Sequence, residues 1–268
     1  MASSLTEVAR LVAVDDTPLK RRVPFFIACG ILVLLIVIAG VFLYQSQEQQ
    51  ARVTATEQLR SISSLKADEI ARWRSDRIYD ARTISASGFF IEGVSEYLSS
   101  PSESKERVIL TRFREVNQSV HYHNVILVDQ NATVILSLDP GVGSISPMTA
   151  LSVTESLQNG TAVMTDFHLM PGTDHPHLDV VAPLISSSNG SDESVGAVIL
   201  SIDPDAYLYP FIESWPVPTR SAETLLVERQ GDHVLFLNDL KHMEHTALNL
   251  TIPLTETDVP AVMAVLGK

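Results

Sequence analysis

A stretch without charged side chains, residues 23–47, constrains this chain more than any other feature. Its apolar part, residues 23–44, is 22 residues long and would extend about 33 Å as a helix at ~1.5 Å per residue. That length is enough to cross a membrane hydrocarbon core of about 30 Å. Three cations at residues 20–22 precede the stretch, and such cations favour the cytoplasmic side. The sequence therefore predicts a cytoplasmic N-terminus (residues 1–22), a transmembrane helix (residues 23–44) and an extracellular remainder (residues 45–268).

The length of this stretch helps to distinguish a permanent membrane anchor from a cleaved signal peptide. A signal peptide has an apolar core of about 7–15 residues and a cleavage site of small residues. Here the core is longer, and residues 41–45 (Val-Phe-Leu-Tyr-Gln) contain no such site. The sequence favours the anchor, and cleavage is the alternative. Because the only cysteine, Cys29, lies inside the span, disulfide bonds cannot stabilise the extracellular part, which must bury an ordinary core.

The charge distribution limits the possible partners. The chain has 32 Asp and Glu against 19 Lys and Arg, and no Lys or Arg occurs between Arg114 and Arg220. This argues against nucleic acid as a partner, because phosphate binding needs clustered cations. A ligand held by its own carboxylate or phosphate is disfavoured as well, because the usual bidentate arginine is missing there. A cationic or neutral ligand is favoured, and a merely solvated acidic surface is the alternative.

Five of the seven asparagines begin an Asn-x-Ser/Thr sequon. Such an excess indicates N-glycosylation of an exported surface. Asn-Gly turn chemistry is the alternative, since Gly follows two of the five. The candidate glycosylation sites are Asn117, Asn131, Asn159, Asn189 and Asn249.

Residues 45–85 contain no Gly or Pro and are rich in good helix formers. Their apolar side chains recur mostly at spacings of three and four, a helical period that Lys66 and Arg77 interrupt. The pattern predicts one long helix that continues from the span, and Gly88 marks its end. Such a helix is either a plain stalk or an element that carries displacement to the membrane.

The rest of the chain alternates β-rich runs with turn residues. Pairs of such runs predict hairpins at residues 125–137, 177–202 and 223–237. Two prolines within residues 215–218 predict a rigid linker. The residues after it, 221–268, are too few to bury a good core without help.

In the order of these elements, the chain resembles the extracellular double Cache sensor region of prokaryotic receptors, especially sensor histidine kinases of methanogenic archaea. The segments that carry the resemblance are residues 65–77 (first helix), 124–138 (first strand pair), 179–184 with 195–203 (closing hairpin), and 215–240 with 247–268 (start of the membrane-proximal unit).

The resemblance implies an α+β fold: the long helix, then PAS-like Cache units, each an antiparallel sheet flanked by helices. It implies a membrane-distal unit at residues 86–218 with a small-molecule pocket, and an incomplete membrane-proximal unit at residues 221–268, where the chain is truncated. It also implies a homodimeric receptor of the two-component type whose histidine kinase output is absent from this chain. The arginine and Trp-Tyr pattern of amino-acid-binding members is missing between Arg114 and Arg220, which disfavours an amino acid as the ligand.

The densest polar cluster is rich in His and Asp and spans residues 166–179. By the resemblance this loop lies near the distal pocket, and a solvated loop is the alternative. Tyr122, just before the first strand, either lines the pocket or packs. Zinc sites usually show tighter ligand spacing and cysteine, so we expect neither a metal nor a cofactor. The candidate ligand-binding residues are Tyr122, Asp166, His168, His177 and Asp179.

No catalytic motif is present: there is no phosphate-binding loop, no G-x-S-x-G and no H-E-x-x-H. We therefore expect no enzyme activity from this chain. The expected function is extracellular sensing of a small ligand. The alternatives are a non-sensory, glycosylated surface or adhesion protein, and a receptor fragment without a function of its own.

Overall fold

The structure is a computed structural model that describes residues 17–170, 172–188, 191–215 and 222–267. The chain forms two compact units, Met1–Leu65 and Lys66–Lys268. The helices are α1 (Thr17–Ser85), α2 (Gly88–Ser99), α3 (Glu103–Val120), α4 (Pro147–Asn159), α5 (Leu208–Glu213) and α6 (Pro260–Val265), with a 3₁₀ turn at Pro204–Ala206. The strands are β1 (Asn124–Val128), β2 (Val134–Ser137), β3 (Val163–Met164), β4 (His168–Leu169), β5 (Pro176–Ser188), β6 (Ser191–Ile202), β7 (Val227–Gln230), β8 (His233–Phe236) and β9 (Thr251–Pro253).

Helix α1 contains both the predicted span and the predicted long helix after it, so their continuity is confirmed. In the first unit the large apolar side chains of the span, from Phe25 to Tyr44, are all exposed. Within the described part of the chain, α1 is the one helix with the length and apolar composition that a membrane crossing requires. The helix ends at Ser85, and α2 begins after Ser87, whose hydroxyl accepts a hydrogen bond from Phe90 N.

An antiparallel sheet organises the second unit. Its strand order is β2-β1-β6-β5-β3, and β4 also pairs with β5. The predicted hairpins at residues 125–137 and 177–202 are confirmed as the β1–β2 and β5–β6 pairs. Together with the helices, this antiparallel sheet confirms the predicted α+β fold class.

The two faces of this sheet are covered by different helices, because successive side chains of a strand point to opposite sides. The α1 face packs against α1, α2 and α3, and its buried strand residues include Leu127, Val180 and Leu200. The α4 face packs against Val153 of α4, and its buried strand residues include Ile126, Val181 and Ile199. A side chain's position along a strand therefore decides which set of helices it meets.

The C-terminal part forms a second antiparallel sheet in the order β7-β8-β9. The hairpin predicted at residues 223–237 is confirmed in the shorter form of β7 and β8. This sheet has a small core of its own, in which Val234 and Phe236 pack against α6. The hydroxyl of Tyr209, in α5, donates a hydrogen bond to the Leu237 carbonyl and connects the two parts. Most of the predicted linker lies outside the described residues, and the predicted division at residues 218–221 stays a prediction.

Candidate functional site

The five predicted ligand-binding residues lie in three different surroundings. His168, His177 and Asp179 border one small cavity on the α4 face. Tyr122 is buried on the α1 face instead. Asp166 is exposed, and its contact with the cluster is through its backbone carbonyl, 3.1 Å from His168 Nδ1. The structure thus brings three of the five together, and their role in ligand binding stays a prediction.

Asp179 is the centre of the group that lines the cavity. It lies on β5 opposite Ser201 of β6, and only 5% of it is exposed. Its Oδ2 accepts a hydrogen bond of 2.6 Å from Thr149 Oγ1 and lies 3.3 Å from His168 Nε2. Its backbone N–H donates to Thr165 Oγ1, and its carbonyl accepts from Thr165 N, both at 2.9 Å. The carboxylate is therefore held in place by two strands and by α4.

The first turn of α4 positions Thr149 for this contact. Ser146 caps the helix and accepts a hydrogen bond of 3.0 Å from Thr149 N, and Pro147 occupies the first turn, where a missing N–H costs nothing. Ser146 also borders the cavity. The local sequence Ser-Pro-Met-Thr thus sets the helix start and aims the Thr149 hydroxyl at Asp179.

The electrostatics of Asp179 and His168 are those of an ion pair. Burial acts to raise the pKa of Asp179, but hydrogen bonds from His168, Thr149 and Ser201 outweigh it, so its pKa is lowered. Burial acts to lower the pKa of His168, but the hydrogen bond and charge of Asp179 outweigh it, so its pKa is raised. Each partner favours the charged form of the other.

His177 contributes an unshared hydrogen-bond acceptor. Its ring is 4% exposed, and Nδ1 donates to the His175 carbonyl at 3.2 Å. Its Nε2 atom has no hydrogen-bond partner among the described residues. Burial lowers the pKa of His177, helped by His123, whose ring meets it edge-on at 4.8 Å between centroids. A neutral ring with a proton on Nδ1 presents Nε2 as an acceptor.

The cavity itself has a volume of about 30 Å³, room for a water molecule or a chemical group of similar size. Apolar side chains form part of its lining, among them Ile126, Val142 and Ile145. The described residues that line it include no Lys or Arg. The described part of the chain also contains no group of three or more side chains arranged to hold a metal ion. The site offers a carboxylate and a free imidazole nitrogen to a group that donates hydrogen bonds.

Tyr122 serves a different cluster on the α1 face. Its hydroxyl donates to Asp80 Oδ2 at 2.9 Å, and the Arg77 guanidinium lies over its ring, 5.7 Å from the centroid. Arg77 Nη2 is 3.5 Å from the same Asp80 oxygen, while Arg77 Nε has no partner among the described residues. Burial raises the pKa of Tyr122. Tyr122 therefore joins α1 to the start of β1. It also lines a cavity of about 810 Å³ on the α1 face, so its role in ligand binding stays a prediction.

Sequence reasoning missed Thr149 and Ser201, which complete the shell around Asp179. Ser201 could have been found from the strand register, since it pairs directly with Asp179. The signal for Thr149 is the helix-start pattern at residues 146–149. Neither position stands out by residue type alone.

The predicted glycosylation sites differ in exposure. Asn131, Asn159 and Asn249 are exposed, Asn117 is half-buried, and Asn189 lies outside the described residues. Their modification stays a prediction.

No protein-family model and no curated protein matches this chain. Its structure is similar to the ligand-binding domain of the Campylobacter jejuni chemoreceptor Tlp3 in complex with 4-methylisoleucine, with 15% identity and a TM-score of 0.45 over 58% of this chain and 61% of that one. It is also similar to the sensor domain of the V. cholerae histidine kinase DctB, with 12% identity and a TM-score of 0.43 over 69% of this chain and 86% of that one.

Further Tlp3 structures match in the same way, and this chain spans 61–63% of their length. These neighbours are sensor or ligand-binding domains of chemoreceptors and histidine kinases. Because the TM-scores lie below 0.5, the function of this chain has to be argued from its own residues.

Proposed function

We propose that the second unit senses a small ligand outside the cell and that the α4-face cavity is its binding site. The observation that carries this proposal is the unshared Nε2 acceptor of His177 beside the buried Asp179–His168 pair. Leaving a buried acceptor unpaired costs about 1–3 kcal/mol. A ligand that donates a hydrogen bond to it recovers that cost.

The chemistry of the cavity favours a ligand with a small donor group. Asp179 and His177 are both acceptors. His168 directs its Nε2–H at Asp179, so the cavity has more acceptors than donors. An amine, an ammonium group or an alcohol supplies the missing donors. A free carboxylate or phosphate finds no Lys or Arg among the residues that line the cavity, and His168 is already paired with Asp179.

The size of the cavity explains how such a ligand would produce a signal. About 30 Å³ admits the donor group alone. In this proposal the rest of a larger ligand displaces residues 142–146, which supply part of the cavity lining. A ligand that binds the displaced arrangement better shifts the population towards it. In this proposal α1 passes the shift across the lipid bilayer, with the N-terminus on the cytoplasmic side.

The receptor that the sequence resemblance suggests is a homodimer of the two-component type. In that arrangement this chain is not an enzyme, and catalysis belongs to a histidine kinase output. The ligand enters and leaves without chemical change.

Thermal unfolding of the full chain in detergent, followed by fluorescence of its two tryptophans, tests the proposal. The probes are ammonium, methylamine, ethanolamine and glycerol, with acetate as the anionic comparison. Binding to the folded state raises the melting temperature, and the increase grows with the logarithm of the ligand concentration above the Kd. We expect an increase with one or more amine or alcohol probes and none with acetate.

Two variants locate the binding site. Asp179→Asn should abolish the increase, whereas the exposed Asp166→Asn, a carboxylate change in the same part of the chain, should leave it intact. If no donor probe shifts the melting temperature, or if both variants respond like the wild type, this site is not the sensor.

A further inference from the structure

Lys66 is a buried lysine in the second unit, on the part of α1 that packs against the protein. Only 7% of it is exposed. Its ammonium donates to the carbonyls of Phe211 at 3.0 Å, Ile212 at 2.7 Å and Ser214 at 2.6 Å. An ammonium group has three N–H donors. Each donor of Lys66 thus has an acceptor, and all three acceptors lie in or just after α5.

These carbonyls belong to the end of a helix, where backbone acceptors lack intrahelical partners and a positive charge is favoured. Burial lowers the pKa of Lys66, and the Glu69 carboxylate acts in the opposite direction. Three charge-assisted hydrogen bonds offset the desolvation. This accounts for a charged residue within the apolar stripe of α1.

The segment of residues 207–214 also contacts α1 through stacked aromatic side chains. The Lys66 ammonium lies 5.2 Å from the Phe211 ring centroid. Phe211 stacks on Tyr207 at 6.1 Å, and Tyr207 stacks on Trp73 at 6.4 Å, with interplanar angles of 7° and 14°. Lys66 and Trp73 are seven residues apart, about two helical turns, and so lie on one side of α1.

This joined segment follows β6 directly in the chain. Ser201 of β6 hydrogen-bonds Asp179, and the 3₁₀ turn Pro204–Ala206 leads from β6 to Tyr207 and α5. Four residues, 203–206, connect β6 to residues 207–214, so a displacement of β6 has a short path to that segment. The contacts of Lys66 are the charged link between that segment and α1.

We propose that Lys66 is a positioning residue that couples the α4-face site to α1 by holding residues 207–214 against the helix. The inference rests on the proposed function, because it presumes that the site near Asp179 is the sensing site. It assigns to Lys66 a role in transmission, separate from ligand contact. Lys66 does not border the α4-face cavity.

Amide hydrogen exchange of the full chain in lipid nanodiscs tests whether Lys66 holds residues 207–214 against α1. Lys66→Met keeps an unbranched side chain of nearly the same length and removes all three donors. We expect amide exchange of residues 211–215 to rise at least tenfold, with β5 and β6 unchanged. Lys105→Met is the matched control, because Lys105 also donates to carbonyls at a helix end, those of Glu96 and Ser100, but it is only half-buried and these carbonyls lie at the end of α2 rather than of α5. It should leave residues 211–215 unaffected.

A second comparison tests transmission. Asp179→Asn changes the sensing site, and we expect it to alter the exchange of residues 66–77 at least threefold in the wild-type background and not in the Lys66→Met background. Phe211→Leu, which keeps the three hydrogen bonds and removes the ring, should give an intermediate response and serves if Lys66→Met does not fold. An equal response in the two backgrounds, or no response in either, overturns the proposed coupling.

The ligand experiment separates this inference from the function on which it rests. Lys66→Met should retain the increase in melting temperature with the donor probes, because the cavity is intact. The coupling alone is refuted if Lys66→Met retains the increase in melting temperature and Asp179→Asn changes the exchange of residues 66–77 equally in both backgrounds. An increase that is absent already in the wild type refutes the sensing function.

Discussion

Each face of the larger sheet carries a buried polar cluster, and the two clusters differ in what they leave unpaired among the described residues. On the α1 face, Tyr122 and Arg77 both contact Asp80, and the atom without a partner is a donor, Arg77 Nε. On the α4 face, the atom without a partner is an acceptor, His177 Nε2, beside a cavity. The first cluster ties a helix to the sheet beside a cavity of about 810 Å³ that Arg77 and Tyr122 line, whereas the second presents an unpaired acceptor to the small α4-face cavity.

The largest expected effect is that of breaking the α4-face ion pair. Asp179→Ala leaves the buried donors of Thr149, His168 and Ser201 without their acceptor, so we expect a loss of about 3–5 kcal/mol in the free energy of unfolding. Urea denaturation of the full chain in detergent measures this loss. The control, Asp166→Ala, removes an exposed carboxylate and should change stability by less than about 0.5 kcal/mol. A loss below about 1 kcal/mol for Asp179→Ala would mean that the pair contributes little to the fold.

Substitutions at two adjacent residues of β1 compare how tightly the two faces of the larger sheet are packed. Leu127 is fully buried on the α1 face, and Ile126 borders the cavity on the α4 face. Leu127→Ala should cost about 3–4 kcal/mol and Ile126→Ala about 2 kcal/mol, because a side chain beside empty space loses fewer contacts. The same denaturation experiment compares them. Equal losses would show that the two faces are packed equally well.

A smaller effect should follow from loosening the α1-face cluster. Tyr122→Phe removes the hydroxyl that donates to Asp80, and we expect a loss of about 1 kcal/mol. Tyr79→Phe is the matched control, since Tyr79 lies on the same helix and is 70% exposed. The donor probes should still raise the melting temperature of Tyr122→Phe, because Tyr122 does not border the cavity. A lost response would place Tyr122 in the ligand site after all.

The sequence was sufficient to predict the hairpins of the larger sheet, but not β4 and the start of β5 within the predicted loop at residues 166–179, nor the division of polar residues between the faces. Alternating runs and turn residues predicted the β1–β2 and β5–β6 hairpins. The register that opposes His168 to His177, and Asp179 to Ser201, depends on how β4, β5 and β6 align. A shift of one residue exchanges the faces, so closeness in sequence could not show that Asp166 points away while His168 points in.

Contacts between segments that are distant in the sequence could not be predicted for a different reason. Tyr122 meets Asp80 across 42 residues, and Lys66 meets Ile212 across 146. Nothing local marks such partners. What the sequence did show was the anomaly, a lysine and an arginine within an apolar helical stripe. The structure supplies the partners that make those charges tolerable.

The smallest expected effect compares the two histidines of the α4-face site through pH. The raised pKa of His168 means that its contribution to stability is full below about pH 6.5 and is lost as pH rises through the folded-state pKa. The lowered pKa of His177 has the opposite sign, so its contribution is full above about pH 6.5 and is lost as pH falls towards the folded-state pKa.

Melting temperatures between about pH 5 and 8 should therefore respond oppositely to the two substitutions. His168→Gln should remove a loss of stability on the alkaline side, and His177→Gln should remove a loss on the acidic side. His242→Gln, a change at an exposed histidine, should leave the profile unaltered. Profiles that change in the same direction for both variants would contradict the assignment of a raised pKa to His168 and a lowered pKa to His177. That assignment is what makes His177 the acceptor and His168 the partner of Asp179, so the pH profile tests the ligand chemistry without any ligand.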